Sequence, residues 1–155
     1  MTGLAAGQAA KKTPGRSPRH RARELAMQGV YQWRVTAGDK AQIERQILAE
    51  KNLGRFDREL FSRLLHGTLD QHAALEELLA PYLDRPLGEL SPVEFSVLLL
   101  GAFELSQHLE VPYKVAINEA VELAKTFGGT DGHKYVNGVL DKLAPQVRAV
   151  EVNAR

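Results

Sequence analysis

The chain contains no cysteine, which excludes disulfide frameworks, thiolate metal sites and cysteine nucleophiles and fits a reducing compartment, with the cytoplasm as the expected location. Long apolar runs are missing too. The longest, around Val97 to Phe103, falls short of the ~20 residues that a membrane span needs. The start MTGLAAGQAAKK has no uninterrupted apolar centre of the kind a secretory signal carries. A protein with no membrane association is expected. Period-two alternation is also lacking, so no sheet is expected and the fold class is all-α.

Motifs for chemistry are equally scarce. The histidines His20, His66, His72, His108 and His133 form no HExxH or comparable ligand spacing, so no metal site is expected. Gly128-Gly129 runs into Thr130 and Asp131 with no lysine of a phosphate loop and no preceding strand, and reads as a helix-terminating turn. Glu119 and Glu122 lie three apart on one helix, yet nothing in the sequence tunes them as an acid/base pair, and they read as solvated carboxylates. The expectation is a protein that is not an enzyme and takes no cofactor.

What is present is a helical pattern with strong punctuation. With 155 residues and 44% hydrophobic content the chain has enough for one well-packed domain. Residues 1–16, rich in Ala, Gly and Lys, show no apolar period and read as a disordered basic tail. The folded domain is expected over residues 17–147, with residues 148–155 as a C-terminal tail. Ser17-Pro18 is a cap-plus-proline start for a helix whose Ala22, Leu25, Ala26, Val30 and Trp33 repeat at helical steps until Gly38. Asp39 caps a short second helix facing inward through Ile43, Ile47 and Leu48 and stopping at Gly54. Asp57 opens a long helix through Leu60, Phe61, Leu64, Leu65, Leu69, Leu75 and Leu79, ended by Pro81.

After a connector from Arg85 to Leu90, Ser91-Pro92 starts a helix that is apolar on most sides, with Phe95, Leu98, Leu99, Ala102 and Leu105, and is expected to be central and buried. Val111-Pro112 breaks it, and Val115, Ile117, Ala120, Val121 and Ala124 run to the Gly128-Gly129 stop. Asp131 caps the last helix, with Val136, Val139, Leu140 and Leu143 inside and Pro145 beyond its end. The sum is a compact bundle of about six to seven helices in two subdomains divided near residues 81–90.

Charge is unevenly spread. Residues 1–23 carry Lys11, Lys12, Arg16, Arg19, Arg21 and Arg23 with no acid, leaving a body with fourteen basic and nineteen acidic side chains. A basic end on an acidic body points to a polyanion met at that end. Arg19, Arg21 and Arg23 fan around the start of the first helix, where cations oppose the macrodipole at ~0.3 to 1 kcal/mol, so the cluster has no stability rationale of its own. A second constellation, Asp131 to Gly138, opens the last helix. Lys134 can neutralise a phosphate, Tyr135 can stack on an unpaired base, and Asn137 can bond a base edge. Tyr135 could equally be a core-edge aromatic and Gly138 a close helix-packing point.

Two stretches carry a resemblance. Residues 111–128, VPYKVAINEAVELAKTFG, with HKYVNGVLD at 133–141, are similar to the C-terminal signature of the bacterial NusB antitermination factors, and RHRARELAMQGVYQW at 19–33 resembles the family's arginine-rich first helix. The resemblance runs from about Arg19 to Pro145. It implies a two-subdomain helical protein that binds boxA, a short single-stranded element in ribosomal operon transcripts, together with NusE, a small-subunit ribosomal protein. With further Nus factors and RNA polymerase, the complex resists termination.

Carried over by position, the RNA face takes in Arg19, Arg21, Arg23, Lys134, Tyr135 and Asn137, with Asp131 alongside limiting affinity, and the NusE surface takes in Tyr31 and Glu94. Three positions depart from the family pattern: His20 interrupts the arginine run, Tyr135 stands where phenylalanine is common, and Leu99 stands where the central helix usually carries arginine. A homodimer covering the arginine-rich helix is a possible storage form. Competing readings are the RNA-binding module of a ribosomal RNA methyltransferase, for which the chain has no Rossmann-like domain, a helical scaffold without RNA, and a DNA-binding helix-turn-helix, for which no recognition helix is visible.

Overall fold

Capping residues set four of the helix starts. In the computed structural model, which describes residues 17–154, Ser17 Oγ accepts the His20 N–H at 2.9 Å and Asp39 Oδ2 that of Gln42 at 3.1 Å. Asp57 Oδ1 takes the Leu60 N–H at 3.0 Å and Ser91 Oγ that of Glu94 at 3.1 Å. Each such bond satisfies an otherwise orphaned donor and contributes about 1 kcal/mol. The helices that follow are α1 (Pro18–Thr36), α2 (Lys40–Leu48), α3 (Arg58–Asp70), α4 (His72–Leu79), α5 (Pro92–Gln107), α6 (Tyr113–Phe127), α7 (Gly132–Val147) and α8 (Ala149–Asn153). Short 3₁₀ turns at Ala80–Tyr82 and Leu87–Glu89 join α4 to α5. Among the described residues all regular structure is helical; the tail expected over residues 1–16 lies outside them.

Helix α5 is the axle. Every residue from Phe95 to Leu105 is buried, and a fully buried leucine contributes about 1.5–3 kcal/mol by burial. Helices α1 and α3 pack on one side of it and α6 and α7 on the other, with one continuous core running through both groups. Leu99 is fully buried in that core, an apolar site that suits leucine. The α3 contact is close because Gly67 has no side chain: a Cβ there would lie 2.2 Å from the Phe103 ring. Helix α1 runs antiparallel to α5, since Arg23 meets Glu104 near one end and Arg34 meets Phe95 near the other. Helix α7 runs parallel to α5, with Gly132 against the Glu94 carboxylate and Arg148 against the Leu105 carbonyl.

The structure differs from the sequence expectation in five places. The long helix from Asp57 to Pro81 is two helices, broken at Gln71, whose φ −108° and ψ 17° leave the helical region. Pro145 lies inside α7 rather than beyond it; the Asp141 carbonyl it leaves unpaired sits on an exposed residue, where water can serve it. Asp131 precedes α7 without a side-chain capping bond. Val115 is 42% exposed and faces away from the core.

The fifth concerns the expected C-terminal tail, which is structured through Asn153. Buried Arg148 donates to the Leu105, His108 and Glu104 carbonyls at 2.6, 3.0 and 3.3 Å, giving the Leu105 carbonyl its partner, joining the backbone donors already at the other two, and complementing the dipole of α5. It also holds Glu151 at 2.5 Å, whose other oxygen accepts the Tyr113 N–H at the start of α6 at 2.8 Å. The Tyr113 N–H, helped by Arg148, draws the Glu151 carboxyl below its ordinary range. One short helix thereby ties the end of α5 to the beginning of α6.

Candidate nucleic-acid interface

The arginine-rich start of α1 is largely engaged inside the protein. Arg23 is 3% exposed and grips Glu104 of α5 with two bonds, Nε to Oε1 at 2.8 Å and Nη2 to Oε2 at 2.9 Å. Glu119 of α6 stands 3.8 Å from its Nη1. Burial alone would lower the Arg23 pKa, but the hydrogen bonds and charge of Glu104, with Glu119 and Asp57 behind, hold it above its ordinary value. This corrects the placement of Arg23 on an RNA face: a guanidinium sealed in the core cannot reach a phosphate. The signal was in the sequence, since Arg23 falls on the same helical stripe as Ala26, Met27 and Val30, and Glu104 is the one carboxylate within the buried stretch Phe95 to Leu105, where it needs a cation.

Arg21 is partly engaged, its Nε donating to the Leu53 carbonyl at 2.9 Å and its Nη1 to Glu24 at 2.8 Å. Arg19 is the most available of the three, with a half-exposed side chain and Asp57 at 3.7 Å. His20 sits between two carboxylates, Glu119 at 2.6 Å and Glu24 at 3.3 Å. The cluster at the helix start is therefore balanced by acids from α1, α5 and α6 and from the residue that caps α3. That is the stability rationale the sequence did not show, and Glu119 belongs to it rather than to the solvent.

At the start of α7 the picture reverses. Lys134 is well exposed, with Asp131 at 3.4 Å. Asn137 is exposed and lines a groove between α6 and α7 with Tyr113, Lys114 and Asn118. Tyr135 is half-buried against the core. Its hydroxyl donates to Asp84 Oδ1 at 3.0 Å and accepts the Asp84 N–H at 3.2 Å, and the Arg85 guanidinium lies 5.0 Å from its ring centroid. Arg85 in turn donates from Nε to Asp84 Oδ1 at 3.0 Å. The hydrogen bonds of Arg85, then Tyr135, draw the Asp84 carboxyl below its ordinary pKa. The sequence reading has Arg85 only as the first residue of a connector and assigns Asp84 no role, because a contact reaching across 51 residues leaves no mark in local sequence.

The two basic sets do not form one cluster. Arg23 lies beside Glu104 and Gly132 beside Glu94, and those two acids are separated by about 15 Å of α5 at ~1.5 Å per residue. Tyr31 is 41% exposed, and Val35, one turn on and absent from the sequence reading, is 57% exposed; together they make a small apolar step on α1. The Glu94 carboxylate lies over Gly132 at the N-terminus of α7, where its charge favours that helix dipole as well as its own. Among the described residues no group of three or more His, Asp or Glu side chains is placed to hold a metal, and no helix is long and apolar enough to cross a membrane.

A sequence profile of the NusB family matches residues 20–145. The chain belongs to the NusB family. It is 56% identical over 148 residues to the transcription antitermination protein NusB of Ralstonia pickettii, across 96% of each chain. It is 59% identical over 133 residues to that of Nitrosospira multiformis, across 86% of this chain and 84% of that one. Among solved structures, NusB of T. maritima superposes with a TM-score of 0.77 at 29% identity, covering 89% of this chain and 99% of the other. The fold also matches, at TM-score 0.73 and 22% identity over 83% and 97% of the two chains, a crystal structure described as the antitermination factors NusB and NusE in complex with dsRNA. The relatives it matches are transcription antitermination proteins, and the chain, as a NusB-family member so similar to them, is a transcription factor and not an enzyme.

Proposed function

We propose that the protein binds single-stranded boxA RNA in ribosomal operon transcripts together with NusE and, with other Nus factors and RNA polymerase in the cytoplasm, makes elongation resistant to termination. The observation that carries this reading is the family match over residues 20–145 combined with the exposed Lys134 and Asn137 at the start of α7. Lys134 neutralises a phosphate, Asn137 reads a base edge from the α6–α7 groove, and Tyr135 belongs to the stacking platform. Asp131, beside Lys134, tempers phosphate attraction. Arg19 and Arg21 contribute charge from the start of α1, and the two basic sets suit an extended strand that runs from one to the other. Tyr31, with Val35, and Glu94 form the NusE surface.

Fluorescence anisotropy with boxA RNA, a scrambled RNA and a boxA duplex, with and without NusE, tests the proposal. Preference for single-stranded boxA that tightens with NusE is expected. Equal weak binding to all three RNAs with NusE present contradicts it.

A further inference from the structure

Arg85 stands on the connector between the two 3₁₀ turns, in neither of the basic sets named above. Its Nε and Nη2 are committed to the Asp84 carboxylate, at 3.0 and 3.5 Å, and its guanidinium lies over the Tyr135 ring. Asp84 is itself pinned from both its backbone N–H and its carboxylate by the Tyr135 hydroxyl. Three residues therefore lock one another: Tyr135 fixes Asp84, Asp84 fixes Arg85, and Arg85 covers the ring. The Arg85 side chain remains 43% exposed, so a flat, pre-oriented cation is open to solvent over Tyr135, the residue that follows Lys134 on α7. Phenylalanine at position 135 would keep the ring and lose the tie to Asp84, which gives the tyrosine hydroxyl a purpose of its own.

We infer that Arg85 is a further RNA-binding residue, whose guanidinium, placed over the Tyr135 ring and held by Asp84, offers the surface on which an unpaired base stacks. The inference rests on the RNA-binding reading proposed above. Asp84 largely cancels the Arg85 charge at short range, so the pair attracts a phosphate weakly. What remains to offer is the plane, and guanidinium planes are stacking partners for splayed bases in single-stranded RNA. The base then lies on a two-layer platform, guanidinium over phenol, with the cation–π contact holding the layers together. Because the plane is fixed before RNA arrives, little side-chain entropy is lost on binding.

The test is boxA RNA binding by the full-length protein with NusE present, read by anisotropy at several salt concentrations for wild type, Arg85→Ala, Arg85→Lys and Tyr135→Phe. Arg85→Ala is expected to weaken binding at least about fivefold, from the size of single stacking contacts. Arg85→Lys, which keeps the charge and removes the plane, should lose most of the same affinity, and the salt dependence should be unchanged in both. Tyr135→Phe should fall between these variants and wild type. A 2-aminopurine placed successively along the RNA should be quenched on binding at one position in wild type and released there in Arg85→Ala. Thermal melts matching wild type establish that the variants are folded. Arg85→Ala binding as tightly as wild type overturns the inference, and so does Arg85→Lys equal to wild type beside a weak Arg85→Ala, since the residue then acts as a point charge. If wild type itself shows no preference for boxA, the functional reading has failed, which is a separate result.

Discussion

The two ends of α5 treat charge in opposite ways. Near its C-terminal end Arg23, Glu104, His108 and Arg148 are buried, bound to one another, to carbonyls or to ring edges. Near its N-terminal end Arg85, Asp131 and Lys134 stand in solvent. In sequence the first end is the stronger candidate to attract a polyanion because its arginines are clustered, yet most of that charge is consumed by the fold. A cluster of cations is available to a ligand only to the extent that other elements bring no acids to it.

If that contrast holds, substitutions at the first end change stability and those at the second change RNA affinity. The largest effect is expected for Arg23→Ala, which strands Glu104 in the core and should cost about 3–5 kcal/mol in a urea titration. Arg23→Met with Glu104→Leu removes both charges and should recover most of that loss. Arg148→Ala comes next, at about 1–3 kcal/mol, because it leaves the Leu105 carbonyl unpaired, while the His108 carbonyl keeps the Val111 N–H. A loss within ~0.5 kcal/mol would show that water replaces the guanidinium. Lys134→Ala should leave the melting temperature unchanged, weaken boxA binding and reduce the salt slope by about 1.

The smallest effect is a pH dependence from His108. Its Nδ1 is buried with no hydrogen-bond partner, and its ring meets Phe103 edge-on at 5.0 Å. Burial, with the nearby Arg63 charge, pushes its pKa below the ordinary 6.5. The unfolded chain therefore takes up a proton before the folded one does, so stability is full above pH ~6.5 and falls as pH drops toward the folded value. Denaturant midpoints at pH 7.5 and 5.5 should lie farther apart in wild type than in His108→Gln; an equal separation in both would assign the acid sensitivity elsewhere.

Most of the fold was legible because its signals are local. Ser17, Asp39, Asp57 and Ser91 announce their helices by side chains that bond three residues on, and the unrelieved apolar run of α5 marks it as the axle. The break at Gln71 was hidden because Leu69, Leu75 and Leu79 continue a serviceable helical period across it and glutamine is no helix breaker. Helix α8 was hidden because its five residues are held by the long-range contacts of Arg148 and Glu151 rather than by any pattern of their own. The site followed the same rule. Exposure of Lys134 and Asn137 follows from their offset from Val136, Val139 and Leu140. The burial of Arg23 follows likewise from the stripe it shares with Ala26, Met27 and Val30, whereas its Glu104 partner, the Glu119 contacts and the Asp84–Arg85–Tyr135 lock depend on which element lies opposite.

The central claim is that charge at the start of α7 meets RNA while Arg23 serves the fold. It is tested most directly by boxA binding as a function of salt, with NusE present, for Lys134→Ala and for the Arg23→Met, Glu104→Leu pair, each confirmed as folded by its melt. The account predicts a shallower salt slope and lower affinity for Lys134→Ala, and wild-type affinity and slope for the paired variant. A paired variant that folds but loses affinity and slope, beside a Lys134→Ala that binds as wild type, would contradict it.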